Sequence, residues 1–318
     1  DTDTPDVVSV QANSSMDQNA VFAVGDPIDI DVTFDKVVSV EGAASGITLR
    51  LDFDGVQRTT NLRTVENGGY GDDTDTLTFR YVVQPGDEEL DLPYNSATAL
   101  KVNTASGSDI VDILGNSAVV SGSVVLPIPS QAGSLSETSS IVVDGVLPTF
   151  SSVVSNGGSH VINLVSDEVL SLKLAVDGSL VDPAQLDVSE FAVSHVETVN
   201  GQQQTNTLTV EQAVLSADGL TVALTVTEIV PNGGTLTVAY DRLDTPVKNL
   251  EDVNGNVLAE FTSTNAKTVT VTADTDTPDV VSVQAIPSMD QNHYYGLTET
   301  ISINVEFSEI VEASGDIR

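Results

Sequence analysis

The chain has 318 residues, carries 47 acidic against 11 basic side chains for a formal net charge of −36, and contains no cysteine. This charge repels phosphate backbones and anionic headgroups, which excludes nucleic acid and acidic membrane surfaces as partners. The lack of cysteine excludes disulfide bonds and thiolate metal sites. We also expect no transmembrane span and no signal peptide in this sequence.

Alternation of apolar and polar residues predicts strands in the first half of the chain. Apolar side chains occupy every second position from Ile28 to Phe34, from Ile47 to Phe53 and from Leu77 to Val83. Period two over such lengths indicates half-buried strands. Turn signals such as Asp54-Gly55 and Pro85-Gly86 lie between them.

The second half repeats this pattern. Alternating apolar residues run from Leu170 to Val176, from Leu220 to Val226 and from Leu236 to Tyr240. A short helical turn is expected near residues 182–186, where Asp182 precedes a proline. The pattern favours an all-β fold of tandem Ig-like (cadherin-like) antiparallel β-sandwich domains, which we expect to form an extended array.

A long repeat divides the chain. The segment Asp1–Ala12, DTDTPDVVSVQA, recurs without change at Asp274–Ala285, an offset of 273 residues. A weaker echo, Asp144-Gly-Val-Leu-Pro148, marks a point between them. We therefore predict one Ig-like repeat at 1–146, a second at 147–273, and the start of a third at 274–318 that copies 1–45. Because 45 residues cannot close a sandwich core, we expect this last piece to be poorly ordered or to borrow a partner's sheet.

Carboxylates gather in two kinds of place. Asp1, Asp3 and Asp144 lie close to prolines at predicted domain ends, and Asp112–Asn116 and Asp252–Asn256 both read Asp-x-x-Gly-Asn. Calcium ligands are one interpretation, because calcium prefers oxygen donors. Ordinary polar linkers and Asx turns are the other. An EF-hand is excluded, since the twelfth residue counted from Asp252 is serine.

The motifs of the two halves resemble those of two known families of bacterial repeats. Residues 1–146 resemble the repeat of large RTX-type bacterial adhesins, on the Asp1–Pro5 start, the Val24–Phe34 and Leu49–Gly55 segments, and the motifs FRYVVQPGD, DLPY, DILGN and IVVD. Residues 147–273 resemble the repeat named after a cyanobacterial swimming-motility protein, on the motifs SEF, DGL, LTVAY and LEDVNGN.

The resemblance implies extracellular, cadherin-like modules whose junctions bind calcium. Carried over by position, the implied metal ligands are Asp1, Asp3, Asp112, Asp144, Glu168, Asp252, Asp274 and Asp276, with Asn116 and Asn256 as loop-forming residues or carbonyl donors. Repeats of this kind carry Phe-Ser-Glu, as at Phe307–Glu309, where the first repeat instead has Phe34-Asp35-Lys36. A lysine at that position would oppose a bound cation.

The implied function is mechanical. We expect a structural extender segment of a large secreted adhesin at the bacterial cell surface, whose calcium-stiffened junctions support attachment or biofilm reach. The expected partners are calcium ions and neighbouring repeats of the same polypeptide, with cell-surface glycans or proteins bound through other domains, and no direct membrane insertion.

A carbohydrate-binding module and an enzyme are the two alternative functions. A carbohydrate-binding module would need aromatic platforms, for which Tyr70, His293, Tyr294 and Tyr295 are the candidates. An enzyme is not expected, because the sequence has no G-x-S-x-G, H-E-x-x-H or phosphate-loop pattern.

Overall fold

The computed structural model describes residues 2–17, 20–63, 74–242, 248–262, 265–272, 278–285, 302–308 and 311. The chain divides into two compact units, one formed by residues 1–148 and 250–259, the other by residues 149–249 and 260–318. The chain therefore leaves the first unit after residue 148, returns to it at residue 250 and leaves it again after residue 259.

The first unit is built from two sheets. The larger has the strand order β1-β3-β6-β5-β4-β8-β10 with β9 joined to β3, and the smaller has the order β2-β11-β7. Among the described strands of this unit, neighbours pair antiparallel except for the parallel pair of β2 and β11. The strands are β1 (Val7–Ala12), β2 (Val21–Phe22), β3 (Pro27–Glu41), β4 (Ile47–Phe53), β5 (Val56–Leu62), β6 (Thr74–Val82), β7 (Glu88–Glu89), β8 (Leu100–Val102), β9 (Asp109–Asp112), β10 (Ser123–Val124) and β11 (Val142–Asp144). One short helix, α1 (Leu135–Thr138), and 3-10 turns at Ala44–Gly46 and Thr104–Ser106 join them.

The alternation read from the sequence gives the core of this unit. Every second residue of β3 from Ile28 to Phe34 is buried, as are every second residue of β4 from Ile47 to Phe53 and of β6 from Leu77 to Tyr81. On the opposite face of β3, the charged residues Asp29 and Asp31 are also buried, at 5% and 9% exposure. Arg80 holds Asp29 through two 2.7 Å hydrogen bonds and Arg63 adds a third at 3.1 Å. Buried carboxylates survive in a core only when paired in this way.

The second unit contains two four-stranded antiparallel sheets, in the orders β12-β13-β18-β17 and β16-β15-β19-β21, and β14 pairs with β20. The strands are β12 (Phe150–Val154), β13 (Val161–Ser166), β14 (Ser171–Leu174), β15 (Phe191–Val199), β16 (Gln202–Leu208), β17 (Val210–Leu215), β18 (Thr221–Val226), β19 (Thr235–Tyr240), β20 (Lys248–Glu251), β21 (Lys267–Thr270), β22 (Val280–Ala285) and β23 (Ile303–Phe307). Phe261 contacts both Phe150 and Tyr240, at ring-centroid distances of 5.6 Å and 5.8 Å. The prediction of an all-β, antiparallel sandwich fold is confirmed.

Of two local predictions in this unit, the helical turn near residues 182–186 is confirmed and the end of the strand at Val176 is not. The helical turn is confirmed as a 3-10 turn at Pro183–Gln185, where the Asp182 side chain accepts a hydrogen bond from Ala184 N–H. The prediction of a strand through Val176 was wrong, because β14 ends at Leu174 and Val176 is 86% exposed. The cause is a turn in which Gly178 N–H donates to the Leu174 carbonyl and reverses the chain.

The repeated sequence pairs in the same register at both places. Strand β1 pairs with β3 from Val7↔Phe34 to Ala12↔Ile30, and β22 pairs with β23 from Val280↔Phe307 to Ala285↔Ile303. Every pair shifts by the same 273 residues, and each hairpin has its irregularity after the first pair. Even the closing contact recurs, since Asp6 N–H donates to the Asp35 carboxylate and Asp279 N–H donates to the Ser308 hydroxyl.

One segment of the first unit lies far from the rest of that unit in sequence. Residues 250–259 belong to the first unit, although they follow about a hundred residues of the second in sequence. The physical reason is local hydrogen bonding, because Ala259 N–H donates to the Pro148 carbonyl at 2.9 Å, and Leu250 and Leu258 are buried. The boundaries at 146 and 273 and the extended array remain predictions.

Candidate functional site

Asp144 ends strand β11 at one end of the first unit, and the next residue fixes it there. Gly145 N–H donates to the Asp87 carbonyl at 2.6 Å, and Gly86 N–H donates back to the Gly145 carbonyl at 2.7 Å. A Cβ atom on Gly145 would lie 2.6 Å from the carbonyl oxygens of both Asp87 and Gln84. Only glycine permits so close an approach, so the backbone around Asp144 is tied to the 84–87 turn.

The 84–87 turn is itself anchored by a buried carboxylate. Asp87 is fully buried and accepts hydrogen bonds from Arg58 Nε at 2.7 Å, from Gln84 N–H at 2.8 Å and from the Tyr81 hydroxyl. The hydrogen bond to Asp87 raises the pKa of Arg58. Burial is the main cause that raises the pKa of the Tyr81 hydroxyl, and the hydrogen bond to Asp87 raises it further. Both groups therefore keep their protons, and Asp87 keeps its full set of donors.

The Asp-x-x-Gly-Asn turn at residues 252–256 is closed by its own first side chain. Asp252 Oδ1 accepts from the backbone N–H groups of Asn254, Gly255 and Asn256 at 2.7 to 2.8 Å. Its Oδ2 accepts from Asn256 Nδ2 at 2.9 Å. Gly255 supplies the left-handed conformation that the turn needs, with φ at 101°. The carboxylate thus meets donors on both oxygens.

This turn contacts the Asp144 end of the same unit. Asn254 Nδ2 donates to Asp144 Oδ2 at 2.6 Å, and Asn256 Nδ2 donates to the Asp144 carbonyl at 2.9 Å. The Asn256 side-chain oxygen accepts from Val24 N–H at 2.9 Å, across 232 residues of sequence. Asp252 and Asn256 are each 1% exposed. We call Val24, Asp144, Asp252, Asn254 and Asn256 the Asp144 cluster.

The matching turn at residues 112–116 is closed in a similar way, although Gly115 N–H donates to the Asp112 carbonyl and not to its carboxylate. Asp112 Oδ1 accepts from Leu114 N–H and Asn116 N–H at 2.8 and 2.9 Å, and Oδ2 accepts from Asn116 Nδ2 at 2.8 Å. The Asn116 amide is the leading cause that lowers the pKa of Asp112, and the positive charge of Lys36 contributes. Leu114 here takes the place of Asn254 and is 61% exposed.

Lys36 brings a positive charge to the predicted ligands of the first repeat. Its ammonium group donates to the Asp3 carbonyl at 2.9 Å and lowers the pKa of Asp112 through its charge. A lysine at this position was expected to oppose a bound cation. In the structure, the positive charge beside Asp3 and Asp112 is the ammonium group of Lys36.

The candidate metal ligands can now be tested against calcium chemistry. Calcium needs six to eight oxygen donors with free lone pairs around one point. The carboxylates of Asp112, Asp144 and Asp252 instead accept hydrogen bonds from nitrogen donors on both oxygens. Glu168 lies in the second unit, where its N–H donates to the Ser166 hydroxyl. In the described part of the chain, no three acidic or histidine side chains gather to hold a metal ion.

The structure thus brings together only part of the predicted set. It joins Asp144 to the Asp252–Asn256 turn, and it leaves Asp112 and Asn116 in a separate turn and Glu168 in the other unit. Asp1, Asp274 and Asp276 lie outside the described residues. As placed, the described side chains do not fit a calcium cage, and calcium binding by this chain stays a prediction.

The lowered pKa of Asp112 gives a pH prediction. A carboxylate with a lowered pKa in the folded state stabilises that state above its usual pKa, about 3.9, and loses this contribution as pH falls through the lowered value. In Asp112→Asn, the new amide would face the Asn116 amide, donor against donor. We expect the difference in free energy of unfolding between the parent and Asp112→Asn to be largest above about pH 4 and to shrink below it. Urea unfolding between neutral and strongly acidic pH measures it, and a difference independent of pH would contradict the assignment.

The carbohydrate-binding alternative rested on aromatic residues that the structure does not describe, namely Tyr70, His293, Tyr294 and Tyr295. The described tyrosines, Tyr81, Tyr94 and Tyr240, are all buried, at 3%, 1% and 1% exposure. They therefore serve the cores, and the described part of the chain presents no tyrosine to a sugar.

Two members of the Asp144 cluster, and Asp87 beside it, were not predicted from the sequence. Val24 contributes a backbone N–H, which no sequence pattern marks. Asp87 stood in the motif FRYVVQPGD without a role, and Asn254 stood at a variable position of the Asp-x-x-Gly-Asn motif. The one available signal was Asn254, because it distinguishes the 252–256 turn from the 112–116 turn.

No family model matches the chain, and no curated protein matches it. Among solved structures, the N-terminal part of the bacterial S-layer protein SbsC is 17% identical with a TM-score of 0.27, over 44% of this chain and 26% of that one. A longer SbsC structure, residues 31–844, is 16% identical with a TM-score of 0.28, over 44% of this chain and 15% of that one. A complex of Dpr2 Ig1-Ig2 with DIP-Theta Ig1-Ig3 is 12% identical with a TM-score of 0.20, covering 84% of this chain and all of that one.

The chain spans about a quarter or less of the two S-layer chains. At these TM-scores the likeness supports no argument about function. No helix in the described residues is both long enough and apolar enough to cross a membrane.

Proposed function

We propose that this chain is a structural extender segment of a large secreted bacterial surface adhesin, as the resemblance to RTX-type repeats implies. The observation that carries the proposal is the duplicated hairpin, in which β22–β23 repeats β1–β3 in sequence, in register and in its closing hydrogen bond. A repeated sequence that pairs its strands in the same register is typical of repeat arrays, which gain length without adding chemistry, and this is what a spacer requires.

The interior of the first unit supports a load-bearing role. Its long strand β3 spans 15 residues and pairs with β1, β6 and β9, so one strand ties three others together. The polar groups at the Asp144 end are closed by hydrogen bonds between residues far apart in sequence. Both features resist separation of the strands without any added group.

A concatemer experiment tests the proposal. One, two and four copies of residues 1–273 are joined in tandem, and their maximum dimension is measured by small-angle scattering. An extender predicts that the maximum dimension rises in proportion to the number of copies. Collapse of the copies into a compact particle would contradict the proposal, and retention of the chain on a glycan array would favour the carbohydrate-binding alternative.

Calcium stiffening is the separate, finer part of the proposal. Extracellular modules bind calcium at about 10⁻⁴ to 10⁻³ M, so 1 mM calcium stabilises such a fold by about 0.4–1.4 kcal/mol per bound ion. We expect calcium, but not magnesium, to raise the melting temperature relative to chelator. Because Asp252 is fully engaged by nitrogen donors, Asp252→Asn should leave this calcium-dependent rise unchanged. No rise with calcium would mean that the aspartates form only a solvated surface.

A further inference from the structure

We propose that the first unit carries a docking surface for an Asp-x-Asn-Gly-Asn turn, formed by Val24 N–H and by the carbonyl and carboxylate of Asp144, and that the 252–256 turn is its occupant. The inference concerns how the first unit is completed and does not depend on the extender function. It rests on the complementarity of the two partners, on their separate preorganisation and on the contrast with the 112–116 turn.

The complementarity is complete for the central residue. The two N–H bonds of the Asn256 amide meet the Asp144 carbonyl and the Asp252 carboxylate, and its oxygen meets Val24 N–H. At 1% exposure this side chain is too buried to replace a lost hydrogen bond with one to solvent. An amide that lost these partners inside the protein would be costly, so the arrangement specifies asparagine at this position.

The turn is shaped before it docks. Asp252 closes the loop through four hydrogen bonds that lie within the turn itself. The Asn256 amide is therefore presented in a fixed direction and the Asn254 backbone is held in place, so docking loses little conformational freedom.

The receptor is shaped independently. Val24 lies in a turn where Ala23 N–H donates to the Asp26 carboxylate and Gly25 N–H donates to the Val83 carbonyl. These contacts direct the Val24 N–H toward Asn256. The Asp144 backbone is held by Gly145, and its Oδ1 accepts from Val146 N–H, which leaves Oδ2 to receive Asn254.

Asn254 makes the surface specific. The 112–116 turn shares three of the four internal hydrogen bonds to its first carboxylate, but Leu114 stands where the other turn has Asn254. Leucine cannot donate to a carboxylate and would leave Asp144 Oδ2 without this partner. The chemistry of the surface therefore selects the turn with asparagine at its third position.

Docking has a consequence for the order of folding. Both ends of the 250–259 segment continue into residues of the second unit, so the first unit lacks this piece until residue 259 has been made. Leu250 and Leu258, which frame the turn, are 1% and 2% exposed and bring apolar burial with it.

Amide hydrogen exchange at Val24, measured in the full chain, tests the proposal. Asn256→Ala removes the acceptor of this N–H, whereas the matched Asn116→Ala removes the same residue from the twin turn. We expect Asn256→Ala to speed exchange at Val24 by about tenfold or more, while exchange at Ile30 in the core of the same unit changes far less. Asn254→Leu, which copies the twin turn, should give a smaller increase at Val24.

Unchanged exchange at Val24 in Asn256→Ala would overturn the proposal, as would an equal increase in Asn116→Ala. Because the readout is a single amide of the first unit, its failure leaves the concatemer test of the extender function unaffected.

Discussion

Replacement of Asp87 by alanine is expected to lower the free energy of unfolding of the first unit by about 3 kcal/mol. The change leaves the buried Tyr81 hydroxyl and Gln84 N–H without their acceptor, and each such loss costs about 1–3 kcal/mol. The Arg58 pair adds little, because that guanidinium is 29% exposed and solvent screens its charge. Urea unfolding followed by circular dichroism measures the change.

The control for Asp87 is Glu41→Ala, which removes one negative charge from an exposed residue at the end of β3. Its effect should stay within about 0.5 kcal/mol. Asp87→Asn keeps the shape and part of the acceptor capacity, so we expect a loss between the two. If Asp87→Ala costs no more than the control, the buried carboxylate does not anchor the 84–87 turn.

The second large effect is expected for Gly145→Ala. The new Cβ would meet two carbonyl oxygens at 2.6 Å, and overpacking of this kind costs about 1–3 kcal/mol. Because Gly145 holds Asp144 in place, we also expect faster amide exchange at Val24. Thermal unfolding and hydrogen exchange of the full chain measure the two effects together.

The neighbouring Val146→Ala provides the control for Gly145, since Val146 is 40% exposed and its side chain can shrink without loss of a core contact. A loss of stability in Gly145→Ala without any change at Val24 would separate the fold of the 84–87 turn from the docking of the 252–256 turn. Full stability in Gly145→Ala would contradict the close approach.

These expectations share one physical idea, namely that the Asp144 end is closed by hydrogen bonds. The resemblance implies junctions that calcium stiffens, which stays a prediction. In the structure, amide donors surround the carboxylates of Asp112, Asp144 and Asp252, and Lys36 places a positive charge beside Asp3 and Asp112. Carboxylates satisfied in this way stabilise turns without needing a metal.

Much of the fold could be predicted because it depends on neighbours in sequence. Alternation alone placed the buried face of β3, β4 and β6, since successive side chains of a strand point to opposite sides. The pattern Asp-x-x-Gly-Asn indicated two turns, because an Asp side chain and a left-handed glycine close such a loop locally. The 273-residue repeat marked the hairpin that recurs at β22–β23.

Tertiary structure alone decided what those local pieces contact. No local pattern predicts that Asp29 is buried and hydrogen-bonded to Arg63 and Arg80, which lie 34 and 51 residues away in sequence. No local pattern predicts that the Asn256 side chain accepts a hydrogen bond from Val24 N–H, 232 residues away. Alternation and turn chemistry act over a few residues, whereas these hydrogen bonds form only when distant strands have packed. The sequence by itself therefore determined the strands, the turns and the repeat, and the packed chain decided which turn completes the first unit.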